Sequence, residues 1–162
     1  MLECLNEGAF VNAAIANDMT NQTLNRPFSF LCITFSSLLS MLLGVTVLIG
    51  WYTQNTNLIQ VNQAFVPMQY NTALGFLLAG SGLLATGTGR RITALILGFL
   101  TFLIGAGTLI EYIASVDLFI DQLFMEHYIV TETSHPGRMA PNTALCFTLS
   151  GMTIVTASRF ST

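Results

Sequence analysis

Four long segments consist almost entirely of apolar and small residues, and they constrain the fold more than any other feature of the sequence. The segments cover residues 27–51, 70–88, 92–113 and 141–158, and three of them contain no charged residue. At a rise of about 1.5 Å per residue, helices over the first and third cross a hydrocarbon core of about 30 Å. The second and fourth are shorter and richer in Gly, Ser and Thr. The pattern predicts an all-α integral membrane fold with four transmembrane helices.

The composition supports a membrane protein. The chain has 162 residues, of which 52% are hydrophobic and only 8% are charged. A soluble domain cannot cover its surface with so few charges. Residues 1–26 contain Glu3, Glu7 and Asp18 but none of the basic residues that open a cleaved signal peptide. We therefore expect the first span to be a retained anchor behind a cytoplasmic tail over residues 1–26.

The five arginines, the only strong cations in the chain, predict its orientation. Arg26 precedes the first span, Arg90 and Arg91 lie between the second and third spans, and Arg159 follows the fourth. These four residues fall on one side of the membrane, which the positive-inside rule makes cytoplasmic. Arg138 alone falls on the other side. Both termini are then cytoplasmic, and residues 159–162 form the start of the cytoplasmic C-terminal segment.

A stretch of thirteen residues occurs twice. Residues 68–80 read MQYNTALGFLLAG, residues 139–151 read MAPNTALCFTLSG, and eight of the thirteen positions are identical at an offset of 71. Upstream, at an offset of 61, LLGVTVLIGWY from Leu42 matches LIGAGTLIEYI from Leu103. Each of these is followed by an amphipathic run, NLIQVNQAF in the first copy and DLFIDQLFM in the second. The repeated unit is a span, an outer interfacial segment and a second span.

Both copies run in the same direction, so the sequence predicts two tandem helical hairpins related by a pseudo-two-fold axis along the membrane normal. The first hairpin covers residues 27–88, a cytoplasmic turn covers 89–91, and the second hairpin covers 92–158. Two hairpins that cannot bury their interfaces alone can bury them against each other. Small residues at helical spacing suit this packing, namely Ser40, Gly44, Gly75, Ala79, Ala94, Gly98 and Gly151.

Asn71 and Asn142 stand at the outer starts of the second and fourth spans, shortly after Pro67 and Pro141. One interpretation is an N-cap, because asparagine accepts hydrogen bonds from the free amides of a first helical turn. The other is a symmetric site for an anion or polar ligand at two helix N-termini. We favour capping.

Glu111 ends the third span where the matching residue of the first copy is Gly50. An ionisable residue near membrane depth is a functional candidate. It can equally lie solvated at the outer interface beside Tyr112, and the position at a span end favours the solvated interpretation.

The outer loop from Glu111 to Arg138 carries the chain's other ligand or signal-sensing candidates, Asp117, Asp121, His127 and His135, and Arg138 itself. Carboxylates and imidazoles can bind a metal, but the loop has no HxxxH spacing, and its ExxH spacing, Glu132 to His135, is not in a predicted helix, so no coordination geometry is defined. A solvated acidic loop is the favoured interpretation. Both histidines lie outside the spans, so they cannot form a bis-histidine haem site within the membrane. No cofactor is predicted, and haem or metal ligation at the outer loop is the disfavoured alternative.

Other function classes find little support. The chain has no phosphate-binding glycine loop and no Ser-His-Asp or Cys-His grouping, so no catalytic site is predicted. With a net charge of −3 and five cationic residues it offers no basic surface for nucleic acid.

The second copy carries a resemblance. LIEYIASVDLFIDQLF from Leu109 and HPGRMAPNTALCFTLSG from His135 are similar to a membrane input region found ahead of the cytoplasmic domains of bacterial sensor proteins, such as PAS-containing histidine kinases and GGDEF diguanylate cyclases. The similarity covers about residues 28 to 160. The residues that carry it are Glu111, Tyr112, Asp117, Asp121, Gln122, Gly137, Arg138, Met139, Pro141, Asn142, Thr143, Ala144, Leu145 and Phe147.

The resemblance implies a signal-input region in a bacterial inner membrane, as in two-component systems, and it implies no stimulus and no ligand residues. Its partners would be the lipid bilayer, a cytoplasmic output domain in cis or on a partner subunit, and in many such modules a second copy. No PAS, kinase or cyclase segment lies within these residues, so any enzymatic activity would reside in the output domain. The alternatives are a structural anchor or dimerisation module and a small four-helix transporter. Transporters usually place polar or charged groups near the middle of the membrane, and the centres of these spans offer only Ser, Thr and Gly, which argues against transport.

Overall fold

The computed structural model describes residues 28–60, 66–116 and 137–160, and the secondary structure in these ranges is helical. Five helices follow each other in the order α1 (Phe28–Tyr52), α2 (Thr56–Ile59), α3 (Tyr70–Gly87), α4 (Arg91–Ala114) and α5 (Pro141–Phe160). The four long helices coincide with the four predicted spans to within two residues at each end. Helix α2 is a single turn at the start of the NLIQVNQAF run.

Local sequence explains where the helices end. Helices α3 and α4 are separated by a tight turn in which Gly89 has a φ of +73°, a conformation that suits glycine. Helix α4 is followed by Ser115, which adopts the left-handed conformation with a φ of 52°. Helix α5 begins at Pro141, where the missing amide of proline costs no hydrogen bond.

Two of the helices, α1 and α4, are long and apolar enough to span a membrane. Few of their residues are buried within the protein, and large apolar side chains cover their outer faces. Helices α3 and α5 fall below this level of hydropathy within the described ranges, as their content of Gly, Ser and Thr suggested.

Helices α1 and α3 pack closely through two glycines. A methyl group on Gly44 of α1 would lie 2.6 Å from the carbonyl oxygen of Ala73 in α3. A methyl group on Gly80 of α3 would lie 2.9 Å from the carbonyl oxygen of Ser37 in α1. The hydroxyl of Ser40 donates a hydrogen bond of 3.0 Å to the carbonyl of Phe76. Small residues therefore bring the two backbones nearly into contact.

Helices α4 and α5 pack in the same manner. A methyl group on Gly105 of α4 would lie 2.6 Å from the carbonyl oxygen of Ala144 in α5. A methyl group on Gly151 of α5 would lie 2.6 Å from the carbonyl oxygen of Gly98 in α4. Among α2 to α5, this pair of helices shares the most extensive contact.

Helix α3 joins the two halves. Its Gly75 lies under the aromatic ring of Phe147 in α5, and Phe76 meets the same ring edge to face with centroids 5.2 Å apart. Towards the other end, Ala85 of α3, Ala94 of α4 and Ile154 of α5 form a small apolar cluster. Helix α3 thus contacts α1 on one side and α4 and α5 on the other.

Candidate functional site

The most unusual group in the interior is the carboxylate of Glu111, near the C-terminal end of α4. Glu111 has 0% exposure. Its place follows from the helical period, because the buried residues of α4 recur every three or four positions and form one stripe that packs against neighbouring helices. The stripe consists of Ala94, Gly98, Thr101, Gly105, Thr108 and Glu111. The expectation of a solvated Glu111 is therefore wrong, since the residue continues the packing stripe of its helix.

Arg138 supplies a charge partner for Glu111. It follows Gly137, whose φ of +86° turns the chain towards the start of α5. The Nε of Arg138 lies 3.6 Å from the Oε2 of Glu111, and the side chain of Arg138 is only 7% exposed. The structure thus brings together two of the predicted candidates, one from each end of the outer loop.

Tyr112 and Met139 complete the surroundings of this ion pair. The guanidinium carbon of Arg138 lies 5.3 Å from the centroid of the Tyr112 ring, within the range of a cation–π interaction. The Tyr112 hydroxyl donates a hydrogen bond of 3.0 Å to the carbonyl of Met139, which is fully buried. The ring is therefore held in place beneath the guanidinium. The sequence points to Tyr112 only through the resemblance, because its role depends on a contact across 27 residues that no local pattern reveals.

The two charges place a strong constraint on this end of the molecule. Removing a carboxylate and a guanidinium from water is costly, and their attraction offsets the cost only while the two stay close together. The pair links the last turns of α4 to the residue three positions before α5 begins. A change that separates the charges must therefore move one helix end relative to the other or admit water.

The two asparagines lie in the first turn of their helices, one position inside the start. Helix α3 begins at Tyr70 and its N-cap residue is Gln69, so Asn71 is not the cap. Asn71 is buried, with 2% exposure, whereas Asn142 is exposed. The Oδ1 of Asn142 accepts a hydrogen bond of 2.9 Å from the amide of Thr143. Asn142 thus satisfies a free first-turn amide, as the capping interpretation requires, but it does so from within the helix.

The remaining candidates, Asp117, Asp121, His127 and His135, lie outside the described residues. Within residues 28–60, 66–116 and 137–160, no group of three or more His, Cys, Asp or Glu side chains could hold a metal ion.

The opposite end of the bundle has an arginine site, for which the sequence indicated only a part in membrane orientation. Arg91, the first residue of α4, donates from Nε to the carbonyl of Ser158 at 3.0 Å and from Nη2 to the carbonyl of Arg159 at 2.7 Å. These carbonyls belong to the last turn of α5, which ends at Phe160 and has few helical partners for them. A guanidinium also stabilises the negative end of a helix dipole.

A groove of about 630 Å³ runs between α1, α3 and α5. Phe76, Ala79, Gly80 and Leu83 of α3 contribute to it. Ser36 and Ser40 line it from α1. From α5 it is lined by Asn142, Thr143, Cys146, Phe147, Leu149, Ser150, Thr153 and Ile154. Its walls combine apolar surface with hydroxyl, amide and thiol groups.

We found no match for the chain among protein-family models, curated proteins or solved structures. Its function is therefore inferred from the geometry of the chain itself.

Proposed function

We propose that the chain is a membrane-embedded signal-input module in which α1, α3, α4 and α5 all cross the bilayer. The observation that carries the membrane proposal is the distribution of side-chain size. Beside Trp51, Met139 and Glu111, the largest fully buried side chains are the small polar ones of Ser37, Thr101, Thr108 and Ser158, whereas many large apolar residues face outwards. The outward-facing set includes Phe35, Leu38, Leu42, Ile92, Ile96, Phe99, Leu149 and Met152. A water-soluble bundle has the reverse arrangement, and helices packed in lipid have this one.

The buried hydroxyls fit a dry interior. Those of Ser37, Thr101 and Thr108 donate to the carbonyl four residues earlier in their own helices, at 2.7, 2.8 and 3.1 Å. None of the three needs water to satisfy its donor.

The less apolar helices are also long enough to span. Helix α3, with 18 residues, reaches about 27 Å, and α5, with 20, reaches about 30 Å. Among the described residues, the large apolar side chains that are exposed belong to α1, α2, α4, α5 and the connecting segments, and α3 contributes none of them. Helix α3 therefore needs little hydropathy of its own, because neighbouring helices separate it from lipid.

The proposed tandem repeat is supported by contacts that match at the two sequence offsets. Gly44 meets Ala73 and Leu77, and the residues at the corresponding positions, Gly105, Ala144 and Thr148, meet in the same way. This correspondence extends to backbone atoms, because each glycine lies against a carbonyl oxygen and the amide four residues further on. Two unrelated helical hairpins have no reason to share such a register.

The outer ends of the hairpins show another match. The Nε1 of Trp51 donates to the carbonyl of Met68 at 2.9 Å, and the hydroxyl of Tyr112 donates to the carbonyl of Met139 at 3.0 Å. Trp51 and Tyr112 correspond at the offset of 61, and the two methionines correspond at 71. An aromatic side chain thus ties the first helix of each hairpin to the entry of the second.

The orientation proposal is supported by the position of the arginines. Arg90 and Arg91 lie at the same end of the bundle as Arg159, because Arg91 binds the last turn of α5 directly. The positive-inside rule places this end in the cytoplasm, and the Glu111–Arg138 pair then lies at the outer end.

The proposal of signal input depends on a difference between the second hairpin and the first. Its outer end holds a buried ion pair where the first hairpin has Gly50 and Pro67. From there α5 runs to the inner end, where an output domain in cis or a partner subunit would receive the signal. A stimulus at the outer loop that separates or tightens the ion pair would bias the position of α5, provided that it binds the two arrangements with different affinity.

A fusion experiment tests this proposal. The chain is joined after Thr162 to a cytoplasmic histidine-kinase output domain and produced in bacterial membranes, with E111Q and R138Q as test variants and N57A as the matched control. Asn57 is an exposed polar residue at the outer end of the first hairpin. We expect E111Q and R138Q to shift the basal kinase output at equal protein level, and N57A to leave it unchanged.

The anchor alternative predicts a different result. If the module only attaches its output domain to the membrane, all three variants give the wild-type output, and an unrelated four-span anchor substitutes for the chain without loss. That result would refute signal input and leave the membrane proposal standing.

A further inference from the structure

One face of α5 is exposed although its counterpart on α3 is buried. At the offset of 71, Asn142, Cys146 and Thr153 correspond to Asn71, Gly75 and Gly82. The three residues of α3 are buried, and the three residues of α5 are exposed and line the groove. Corresponding positions of the repeat thus have two different environments in one molecule.

Helices α4 and α5 cover the face of α3. A methyl group on Gly82 would lie 3.3 Å from the Cβ of Leu97 in α4 and 3.3 Å from the Cγ2 of Ile154 in α5. Gly75 lies under the ring of Phe147, and a methyl group on Gly75 would lie 2.7 Å from the nearest ring carbon. This closed contact therefore involves Leu97, Phe147 and Ile154.

Each partner of the closed contact has a counterpart on the groove. Leu97 corresponds to Ser36 of α1 at the offset of 61, and Phe147 and Ile154 correspond to Phe76 and Leu83 of α3 at the offset of 71. All three counterparts line the groove together with the exposed face of α5. The groove thus contains the residues of a second closed contact, but Ser36 and Thr153 remain exposed.

We propose that the groove is the open half of a two-state bundle, and that α1 closes onto α5 through Ser36 and Thr153 as α4 closes onto α3 through Leu97 and Gly82. This inference rests on the tandem repeat in the proposed function, and it supplies the two arrangements that a stimulus would bias. Small and hydroxyl-bearing surfaces favour helix contact over lipid contact. Closure replaces lipid in the groove with such a contact.

The contact between α1 and α3 permits this movement. The two helices meet at Gly44 and Gly80, where backbone lies against backbone, and the large side chain beside Gly80 is the flexible Met41. Helix α1 can therefore rock on α3 about these glycines, and the side chains on its lipid-facing side then move within the lipid. The Ser40 hydroxyl, bonded to the carbonyl of Phe76, lies at the edge of the same groove and marks the hinge side.

Disulfide trapping tests the closure. At the closed contact, an added Gly82 Cβ and the Leu97 Cβ are 3.3 Å apart, close to the separation of about 3.5–4.5 Å that a disulfide requires. Closure gives Ser36 and Thr153 a similar separation. The test variant is S36C/T153C in a chain whose native cysteines, Cys4, Cys32 and Cys146, are replaced by alanine. It is oxidised in native membranes, and the cross-linked fraction is followed over time.

Two control pairs calibrate the rate. G82C/L97C reports a contact that is always closed. In L38C/T153C the cysteine on α1 is at position 38 instead of 36, and Leu38 is exposed on the lipid-facing side of the helix. We expect S36C/T153C to cross-link at least about tenfold faster than L38C/T153C, and more slowly than G82C/L97C because closure is transient. Spin labels at Ser36 and Thr153 should also give two distance populations.

Equal rates for S36C/T153C and L38C/T153C, together with a single long spin-label distance, would overturn closure. A failure of G82C/L97C to cross-link would overturn the closed contact from which the closure of α1 is inferred. Cross-linking of S36C/T153C combined with an unchanged output of the E111Q fusion would support closure and refute signal input, so the two proposals fail separately.

Discussion

Replacing either member of the Glu111–Arg138 pair leaves the other charge buried without its partner. The Nε of Arg138 and the Oε2 of Glu111 are 3.6 Å apart. At an effective dielectric constant of about 20, Coulomb's law gives an attraction of about 4–5 kcal/mol at this distance. Breaking a buried pair by removing one partner typically costs about 3–5 kcal/mol. We expect E111Q and R138Q each to lower the free energy of unfolding by an amount in this range.

The double variant should be less destabilised than the sum of the single variants. With both charges removed, no unpaired charge remains at this site, and two amides of similar size can hydrogen-bond to each other. We expect a coupling energy of about 2–4 kcal/mol from the double-mutant cycle. The exposed control variants N57A and R159Q should change the free energy of unfolding by less than about 0.5 kcal/mol.

Unfolding can be followed in mixed micelles by titration with sodium dodecyl sulfate, using two probes. The single tryptophan, Trp51, is buried in the first hairpin and reports on that half by fluorescence. Far-ultraviolet circular dichroism reports on all helices, and coincident transitions would justify a two-state fit. Additive effects of E111Q and R138Q to within about 0.5 kcal/mol would refute the buried pair.

Three further predictions concern the helix contacts. G105A should destabilise the bundle by about 1–3 kcal/mol in the same titration, because the new methyl meets backbone at 2.6 Å. G82A should cost less, because its new methyl meets side chains at 3.3 Å. Equal effects of the two variants would contradict the close packing. R91Q should speed hydrogen exchange of amides in the last turn of α5 by removing the guanidinium from the carbonyls of Ser158 and Arg159, and unchanged exchange there would argue against this contact. Y112F should cost about 1 kcal/mol by deleting its hydrogen bond, and W51F should cost more because it also leaves a cavity where the buried indole packs. Both are followed by circular dichroism, and a loss in only one hairpin would count against the repeat.

Much of the fold could be predicted from the sequence. The four apolar segments gave the long helices to within two residues at each end, because Pro141 and Gly89 delimit helices through local backbone preferences. The spacing of small residues also indicated which helix faces pack, and Gly44 and Gly151 both lie at close contacts. These properties depend on residues close together in the chain.

The site was less accessible from the sequence. Glu111 and Arg138 were both named as candidates, but their pairing joins positions 27 residues apart, and the span-end position of Glu111 suggested solvent. The better signal was its register, three residues beyond Thr108 on the buried stripe of α4. The difference between the buried face of α3 and the exposed face of α5 could not be predicted, because both helices carry the same repeated motif.

The close approach of the helix backbones has a consequence for how this protein can diverge. Outward-facing residues such as Leu38 and Phe99 need only remain apolar, so many exchanges among Leu, Ile, Val and Phe are available to them. Gly44, Gly105 and Gly151 cannot accept even a methyl group without separating two backbones. In distant relatives the bulky residues should have been replaced many times over, and the ancestry of the chain would be recorded mainly in its smallest side chains.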